Sequence, residues 1–227
     1  MNVDVAPAAA VEHRARLSLG ASHDAIYRMV REALGARSVR GGRFVDVGCG
    51  SGSLWPLVSD AFDRYCGLDA VRYNGFPRAG EFHRIDLDAG AWPIGDAFGD
   101  VVAAVETIEH LENPWAFVRA LARIAVPGGW VVVTTPNQLS ALSLATLFVK
   151  RRFSAFQDAH YPAHRTALLE SDLRRIFEAA GLRELDVRYS LSGRLPLTPW
   201  HYPIGVARLA PRRLSDNLMI IGRKPRD

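Results

Sequence analysis

The stretch FVDVGCGSGSL, residues 44–54, places a short apolar run directly before a turn that contains three glycines. Residues 44–47 have the length and β-branched content of a buried strand, and residues 54–62 predict a helix after the turn. In an open parallel sheet, ligands bind beyond the carboxyl ends of the strands, where such a turn presents bare backbone N–H groups. The stretch therefore predicts a ligand in close contact with the main chain.

Strand and helix patterns continue to alternate along the chain after this turn. Further strands are predicted at 64–68, 81–85, 101–105 and 130–135, and a helix at 114–126. A helix at 168–180 and two closing strands at 183–189 and 217–222 complete the pattern. Alternation of this kind predicts an α/β fold with a mostly parallel sheet and helices on both faces.

The length of the chain suits a single domain over residues 1–227, because it is long enough to bury one sizeable core. Two helices are predicted near the N-terminus, at 9–19 and 21–34. The four predicted segments are a helical cap at 1–40, a core at 41–136, an insertion or lid at 137–165 and a C-terminal helix with closing strands at 166–227.

The composition and charge narrow the possible protein classes. The chain is 48% hydrophobic with a formal net charge of +4, and basic residues gather at 150–152 and along 208–226. No aromatic interleaving or RNA-binding motif accompanies them, so a solvated basic face is the simpler interpretation and nucleic acid is not an expected partner. The N-terminal segment has an acid and lacks a long apolar run, which predicts a cytoplasmic protein.

The longest apolar stretch, residues 139–149, is interrupted by Ser140, Ser143 and Thr146 and is too short to span a bilayer. A buried helix is the simpler interpretation of this stretch. Because basic residues follow it directly, peripheral contact with a membrane or with a lipid-like ligand is the alternative. The sequence leaves the oligomeric state open.

The spacing of the glycines separates two classes of ligand. A dinucleotide fingerprint, G-x-G-x-x-G, would need glycine where Ser53 stands. The observed run from Asp46 to Gly52 is instead G-x-G-x-G behind an acid, and it resembles motif I of the class I S-adenosylmethionine-dependent methyltransferases. The resemblance continues to about residue 136 and implies a Rossmann-like sheet of seven strands that ends in an antiparallel hairpin, with S-adenosyl-L-methionine as the cofactor.

The resemblance also implies which residues hold this cofactor. The acid of motif I, here Asp46, approaches the amino-acid moiety, and Asp69 at the end of the second strand accepts hydrogen bonds from the ribose hydroxyls. Asp86 and Leu87, after the third strand, meet the adenine. The predicted cofactor-binding set is Asp46, Gly48, Gly50, Gly52, Asp69, Ala70, Asp86, Leu87 and Glu106.

Candidate catalytic residues follow the fourth strand. His110 is the best candidate for a general base, because the ordinary pKa of histidine lies near neutral pH. The alternative is that its segment, ETIEHL at 106–111, only closes the cofactor pocket or caps the next helix. His160 is the second predicted catalytic residue, and it lies with His164 in the insertion, where the alternative is a structural loop residue.

A metal site is a further alternative at these positions. Glu106, Glu109 and His110, with His160 or His164, resemble the E-x-x-E-H…H site of the small-RNA 3′-terminal 2′-O-methyltransferases, which would suit Mg²⁺ or Mn²⁺. The sequence after residue 134 departs from the pattern of those RNA enzymes. The prediction therefore assigns no metal.

The C-terminal half more closely resembles bacterial methyltransferases of small molecules and glycolipids, on the segments TTPN, RRFSAFQDAHYPAH and LLESDLRRIFEAAGL. This resemblance implies methyl transfer to an oxygen or nitrogen of a small acceptor such as a sugar, a glycolipid or a secondary metabolite. Acceptor specificity is predicted in the segments 137–165 and 190–211. The alternatives are a metal-assisted RNA 2′-O-methyltransferase and a catalytically silent partner subunit that only binds the cofactor.

Overall fold

The strands of the described chain form one mixed sheet of seven, in the order β3-β2-β1-β4-β5-β7-β6. The computed structural model describes residues 20–89 and 92–226, so the predicted helix at 9–19 lies outside the described residues. The strands are β1 (Arg43–Val47), β2 (Arg64–Asp69), β3 (Glu81–Arg84), β4 (Gly99–Ala104), β5 (Ala125–Pro136), β6 (Arg183–Tyr189) and β7 (Asn217–Arg223).

Helices connect these strands. They are α1 (Asp24–Gly35), α2 (Trp55–Val58), α3 (Pro114–Ile124), α4 (Ala141–Lys150), α5 (Glu170–Ala179) and α6 (Ile204–Ala207), with single 3₁₀ turns at Ile108–His110 and Asp158–His160. None of the helices in the described ranges combines the length and the apolar content that crossing a membrane requires.

Strand pairing confirms the predicted Rossmann-like α/β fold. β1 pairs in parallel with β2 on one side and with β4 on the other, while β7 runs antiparallel between β5 and β6. The order of the strands therefore reverses at β1 and β4. In sheets of this type, the crevice outside the carboxyl ends of the strands at the reversal is the place where ligands bind.

Side chains alternate between two apolar layers along each central strand. Val45 and Val47 of β1 pack on one face with residues of α3 and α5, such as Phe117 and Phe177. Phe44 packs on the opposite face with residues of α1. Helices therefore cover both faces of the sheet. This explains why the central strands are continuous apolar runs in the sequence.

The two largest differences in length between predicted and observed elements are in the helix after the glycine turn and in β5. The helix predicted at 54–62 ends at Val58, because the Ala61 carbonyl accepts a hydrogen bond from the Gly41 N–H group (2.6 Å) and ties the chain to the start of β1. β5 begins at Ala125 rather than at residue 130. Its first residue pairs with Gly99 across a shift in register, so residues 127–129, which lie before the predicted strand, belong to the observed one.

The apolar stretch 139–149 is not the buried helix that the simpler interpretation predicted. It forms α4, in which Phe148 is 90% exposed and Val149 is 76% exposed. Ser140 caps the start of α4, because its Oγ accepts the Ser143 N–H group (3.1 Å), and Arg151, in a left-handed conformation, caps its end. The stretch therefore presents apolar side chains at the surface, directly before basic residues.

Candidate functional site

A cavity of about 370 Å³ lies at the carboxyl ends of β1 and β4, where the strand order reverses. Asp46 and Gly48 line it from β1, and Glu106 follows β4. The remaining walls come from the segment 20–27, which leads into α1, and from residues 159–164 of the insertion. The cavity thus lies between the glycine turn and the two segments that carry the predicted catalytic residues His110 and His160.

The glycine turn needs glycine at its first position. Gly48 has a φ of +72°, a left-handed conformation that side chains with a Cβ rarely adopt. A Cβ at this position would lie 2.3 Å from Oγ1 of Thr107, which itself donates to the Val105 carbonyl (3.0 Å). The turn and the segment after β4 are therefore in close contact, and the cavity lies beside that contact.

We expect Gly48→Ala to destabilise the protein by about 1–3 kcal/mol, through backbone strain together with displacement of Thr107. Gly95→Ala is the matched control, because a Cβ at Gly95 meets nothing within 4 Å. The control is expected to change stability by less than about 0.5 kcal/mol. Urea denaturation followed by circular dichroism measures both, and equal losses in the two variants would contradict the steric argument.

Asp46 places a buried carboxylate against the cavity. It is 3% exposed, and its Oδ2 accepts a hydrogen bond from Oη of Tyr65 (3.0 Å). Burial raises the pKa of Asp46 to about 7, the charge of Asp69 adds to this increase, and the Tyr65 hydrogen bond opposes it. A carboxylate in such a place is stabilised by a cationic ligand, which suits the predicted contact with an ammonium group.

This raised pKa predicts how stability depends on pH without ligand. The folded state holds a proton on Asp46 at pH values where the unfolded chain has released it, so the free energy of unfolding falls as pH rises from about 4 to about 7. We expect a slope of about 1 kcal/mol per pH unit from this group. Urea titrations at several pH values should show a shallower slope for Asp46→Asn; identical slopes would contradict the assignment.

Asp69 is the last residue of β2 and holds the glycine turn in place. Its Oδ2 accepts the Gly50 N–H group (2.8 Å) and its Oδ1 accepts the Val71 N–H group (3.2 Å). Burial raises the pKa of this carboxyl, whereas the backbone hydrogen bonds lower it. Each carboxylate oxygen can accept a second hydrogen bond, so these contacts are compatible with the predicted role toward ribose hydroxyls.

The predicted cofactor residues divide into two groups in the structure. Asp46, Gly48 and Glu106 line the cavity. The residues Gly50, Gly52, Asp69, Ala70, Asp86 and Leu87 lie along the same edge of the sheet, after β1, β2 and β3, but they are not among the lining residues. Their roles toward a cofactor remain predictions.

Glu106 and Glu109 follow β4, and both residues line the cavity. Glu106 has a φ of +48°, and its carboxylate accepts hydrogen bonds from Thr134 Oγ1 (2.9 Å) and Asn217 Nδ2 (2.7 Å). Glu109 is fully buried, and its Oε2 accepts from Thr135 Oγ1 (3.2 Å). Its Oε1 has no hydrogen-bond partner among the described residues. Burial raises the pKa of both carboxyls.

Four histidines line the same cavity, His23, His110, His160 and His164, and two of them approach Glu109. One nitrogen of His110, one nitrogen of His164 and a carboxylate oxygen of Glu109 all lie within 4.8 Å of one another. Burial lowers the pKa of His110 and lowers that of His164 to about 4, which favours the neutral form of both rings. His160 is exposed at the rim and stacks on His164, with ring centroids 5.6 Å apart. The catalytic roles of His110 and His160 stay predictions.

Several contacts of the cavity are not predicted by the sequence. Tyr65 is predicted only as part of a strand, although its hydroxyl donates a hydrogen bond to Asp46. Thr134 and Asn217 hold Glu106, and Tyr27 of α1 lines the cavity. The hydroxyl of Tyr65 in an otherwise apolar strand was the available signal, since a buried tyrosine usually finds a hydrogen-bond partner.

The sequence matches a family model described as a methyltransferase domain over residues 21–187, which is most of the chain. A protein of Mycolicibacterium smegmatis named "Probable S-adenosylmethionine-dependent methyltransferase" is 30% identical over 180 residues, which cover 74% of this chain and 65% of that protein. A ubiquinone biosynthesis O-methyltransferase of a Caulobacter species is 31% identical over 132 residues, covering 54% of this chain and 52% of that protein.

The chain thus spans between about half and two thirds of the length of these relatives. Among solved structures, a SAM-dependent methyltransferase from Archaeoglobus fulgidus superimposes with a TM-score of 0.63, covering 87% of this chain and 94% of that chain at 17% identity. At this level of identity, the superposition supports the fold alone.

Proposed function

Because this chain belongs to the S-adenosylmethionine-dependent methyltransferase family, we propose that it transfers the methyl group to a hydroxyl oxygen of a small-molecule acceptor. One observation carries the proposal. A single cavity joins the glycine turn and Asp46 to the neutral imidazoles of His110 and His164. The site where the cofactor would be held and the side chains that could receive a proton therefore share one cavity.

The residues at the edge of the sheet fit the cofactor. Gly48 exposes backbone where a Cβ would collide with Thr107, and the buried carboxylate of Asp46 suits the ammonium group of an amino-acid moiety. When bound, S-adenosyl-L-methionine supplies an electrophilic methyl group on a sulfonium. The contribution of the protein is to hold the acceptor in line with that methyl group and to exclude water.

A base must accept the proton of the acceptor hydroxyl. Methyl transfer from the bound cofactor to the acceptor oxygen would release this proton, and a neutral imidazole beside the acceptor would take it up. Nδ1 of His110 lies 2.9 Å from the Ala163 carbonyl, which can only accept, so Nδ1 carries the proton and Nε2 has the lone pair. His110 therefore presents the form of imidazole that can take up a proton.

Two observations favour an oxygen acceptor with an apolar part. The name of the Caulobacter relative, ubiquinone biosynthesis O-methyltransferase, supports oxygen as the acceptor atom. The insertion that supplies His160 and His164 to the cavity also exposes Phe148 and Val149 at the surface. An acceptor with a hydroxylated head and an apolar tail suits both features better than a free sugar does.

Mass spectrometry of methylated products tests the proposal. Purified protein is incubated with S-adenosyl-L-methionine and four groups of acceptors, which are prenylated phenols, glycolipids, free sugars and primary amines. We expect a gain of one methyl group on a hydroxylated acceptor, with one equivalent of S-adenosylhomocysteine. Turnover only on amines would move the acceptor atom to nitrogen, and turnover only on a small RNA included as a fifth arm would favour the RNA alternative. Cofactor binding without turnover in any arm would indicate a silent partner subunit.

A further inference from the structure

The segment between β6 and β7, which includes α6, exposes several large apolar side chains. They are Leu197, Trp200, Ile204, Val206 and Leu209. Leu197 is 104% exposed and Leu209 is 84% exposed. Leu197 also has a φ of +67°, a left-handed conformation that residues with a Cβ rarely adopt, so neither packing nor backbone preference accounts for a leucine there. Clusters of exposed apolar side chains mark interaction sites.

The charged side chains of this segment are all positive. Residues 190–215 contain four arginines and no acidic residue. The stretch that contains α4 has the same character, because residues 137–157 contain three basic residues and no acid. There the exposed Phe148 and Val149 directly precede the exposed basic residues 150–152. Both segments therefore combine exposed apolar side chains with positive charge.

Both segments lie at the edge of the sheet where the cavity is found. α4 follows the carboxyl end of β5, and the other segment joins the end of β6 to the start of the antiparallel β7. The Ala141 N–H group donates to the Arg213 carbonyl (2.7 Å), and Asn137 Nδ2 donates to the Arg212 carbonyl (2.8 Å). The start of α4 is therefore fixed against the end of the second segment, and the two form one surface.

The cavity adjoins this surface on two sides. Tyr161 lines the cavity and is 73% exposed, and it lies on the insertion that follows α4. His23 also lines the cavity, and its ring stacks on that of His201, with ring centroids 6.2 Å apart. His201 directly follows the exposed Trp200. A ligand that leaves the surface at this point can therefore reach the cavity.

We propose that this docking face, formed by the exposed side chains of residues 148–152 and 194–213, binds the surface of an anionic lipid bilayer. Apolar side chains enter the boundary between headgroups and acyl chains, while arginines bind the lipid phosphates. A second copy of the chain fits less well, because a twofold interface would place arginines against arginines. Nucleic acid would bind the arginines but offers no hydrocarbon layer to Leu197 and Leu209.

The use of this face in catalysis rests on the proposed function. An acceptor with an apolar tail would pass from the bilayer into the cavity while its tail stays among lipids. Binding of the face to lipid does not require methyl transfer, so the two proposals can be tested separately.

The test is co-sedimentation with vesicles of phosphatidylcholine, either alone or mixed with an equal part of phosphatidylglycerol. We expect the wild type to bind the mixed vesicles at least about tenfold more tightly, and added salt to weaken this binding. The double variant Arg151→Gln/Arg208→Gln should bind them at least about tenfold more weakly, since each basic residue contributes about fivefold. Arg152 and Arg212 are left unchanged because they pair with acids.

A second double variant, Leu197→Asn/Leu209→Asn, tests the apolar contribution and is also expected to lose at least about tenfold in binding. Asparagine tolerates the left-handed conformation at position 197. The matched control is Arg64→Gln/Arg183→Gln, which removes the same charge at the starts of β2 and β6, on the opposite edge of the sheet. We expect the control to change binding less than about threefold. Circular dichroism confirms that each variant is folded.

Absence of wild-type binding to the mixed vesicles, or equal losses in the control and the two test variants, would overturn the docking face. Sedimentation velocity without lipid tests the second copy: a dimer that Leu197→Asn/Leu209→Asn dissociates would assign the face to self-association instead. Vesicle binding without methyl transfer to any acceptor would contradict the proposed function alone. Methyl transfer by a protein that does not bind vesicles would contradict the docking face alone.

Discussion

Replacement of Asp69 by alanine is expected to weaken S-adenosyl-L-methionine binding by at least about a hundredfold. The carboxylate holds the Gly50 and Val71 N–H groups and is predicted to accept from the ribose hydroxyls. Loss of a hydrogen bond to a charged group costs about 1.5–3 kcal/mol, so loss of two such contacts accounts for this factor. Isothermal titration calorimetry with S-adenosylhomocysteine, which lacks the reactive methyl, measures the change.

Asp100→Ala is the matched control for this experiment. Asp100 also accepts a backbone N–H group, that of Arg43 at 2.7 Å, but it lies near the amino ends of β1 and β4, away from the cavity. The control is expected to lose stability while its cofactor affinity changes less than threefold. If Asp69→Ala binds as tightly as the control does, the ribose assignment is wrong and Asp69 only supports the turn.

The fold could be predicted from the sequence because its main signals are local. Strand β6 occupies the predicted residues 183–189, and the glycine turn lies between a strand and a helix as expected. These elements are specified by apolar periodicity and by glycines that adopt left-handed conformations, and both can be recognised within a few residues. The early start of β5 at Ala125 could not be predicted, because it depends on the pairing of Ala125 with Gly99 of β4.

The cavity could be predicted only in part. Asp46 is predicted from its resemblance to the acid of motif I, and His110 because it follows the fourth strand at the edge of the sheet where ligands bind. The approach of His164 to Glu109 could not be derived from spacing, because it depends on the irregular segment 151–168. In that segment the carbonyl of Ala155 orients the ring of His164, and the carbonyl of Ala163 orients the ring of His110. Backbone contacts of this kind leave no periodic signal in the sequence.

Replacement of His110 by alanine is expected to reduce the rate of methyl transfer by about 10²–10⁴, with little change in cofactor affinity. The residue provides a lone pair on Nε2 inside the cavity, whereas Asp46 and Asp69 are the residues predicted to hold the cofactor. The effect should therefore appear in kcat and not in the dissociation constant of S-adenosylhomocysteine. Steady-state kinetics on the acceptor found in the product screen measures it.

His83→Ala controls for the loss of a histidine elsewhere in the sheet, because His83 pairs with Glu81 on β3, outside the cavity. Added Mn²⁺ separates the two roles available to His110. If the residue is a metal ligand, a saturating concentration of Mn²⁺ should restore part of the lost rate, because Glu109 and His164 would remain as ligands. If the residue takes the proton directly, Mn²⁺ should restore nothing. A rate close to that of the wild type in His110→Ala would show that the segment after β4 only closes the pocket.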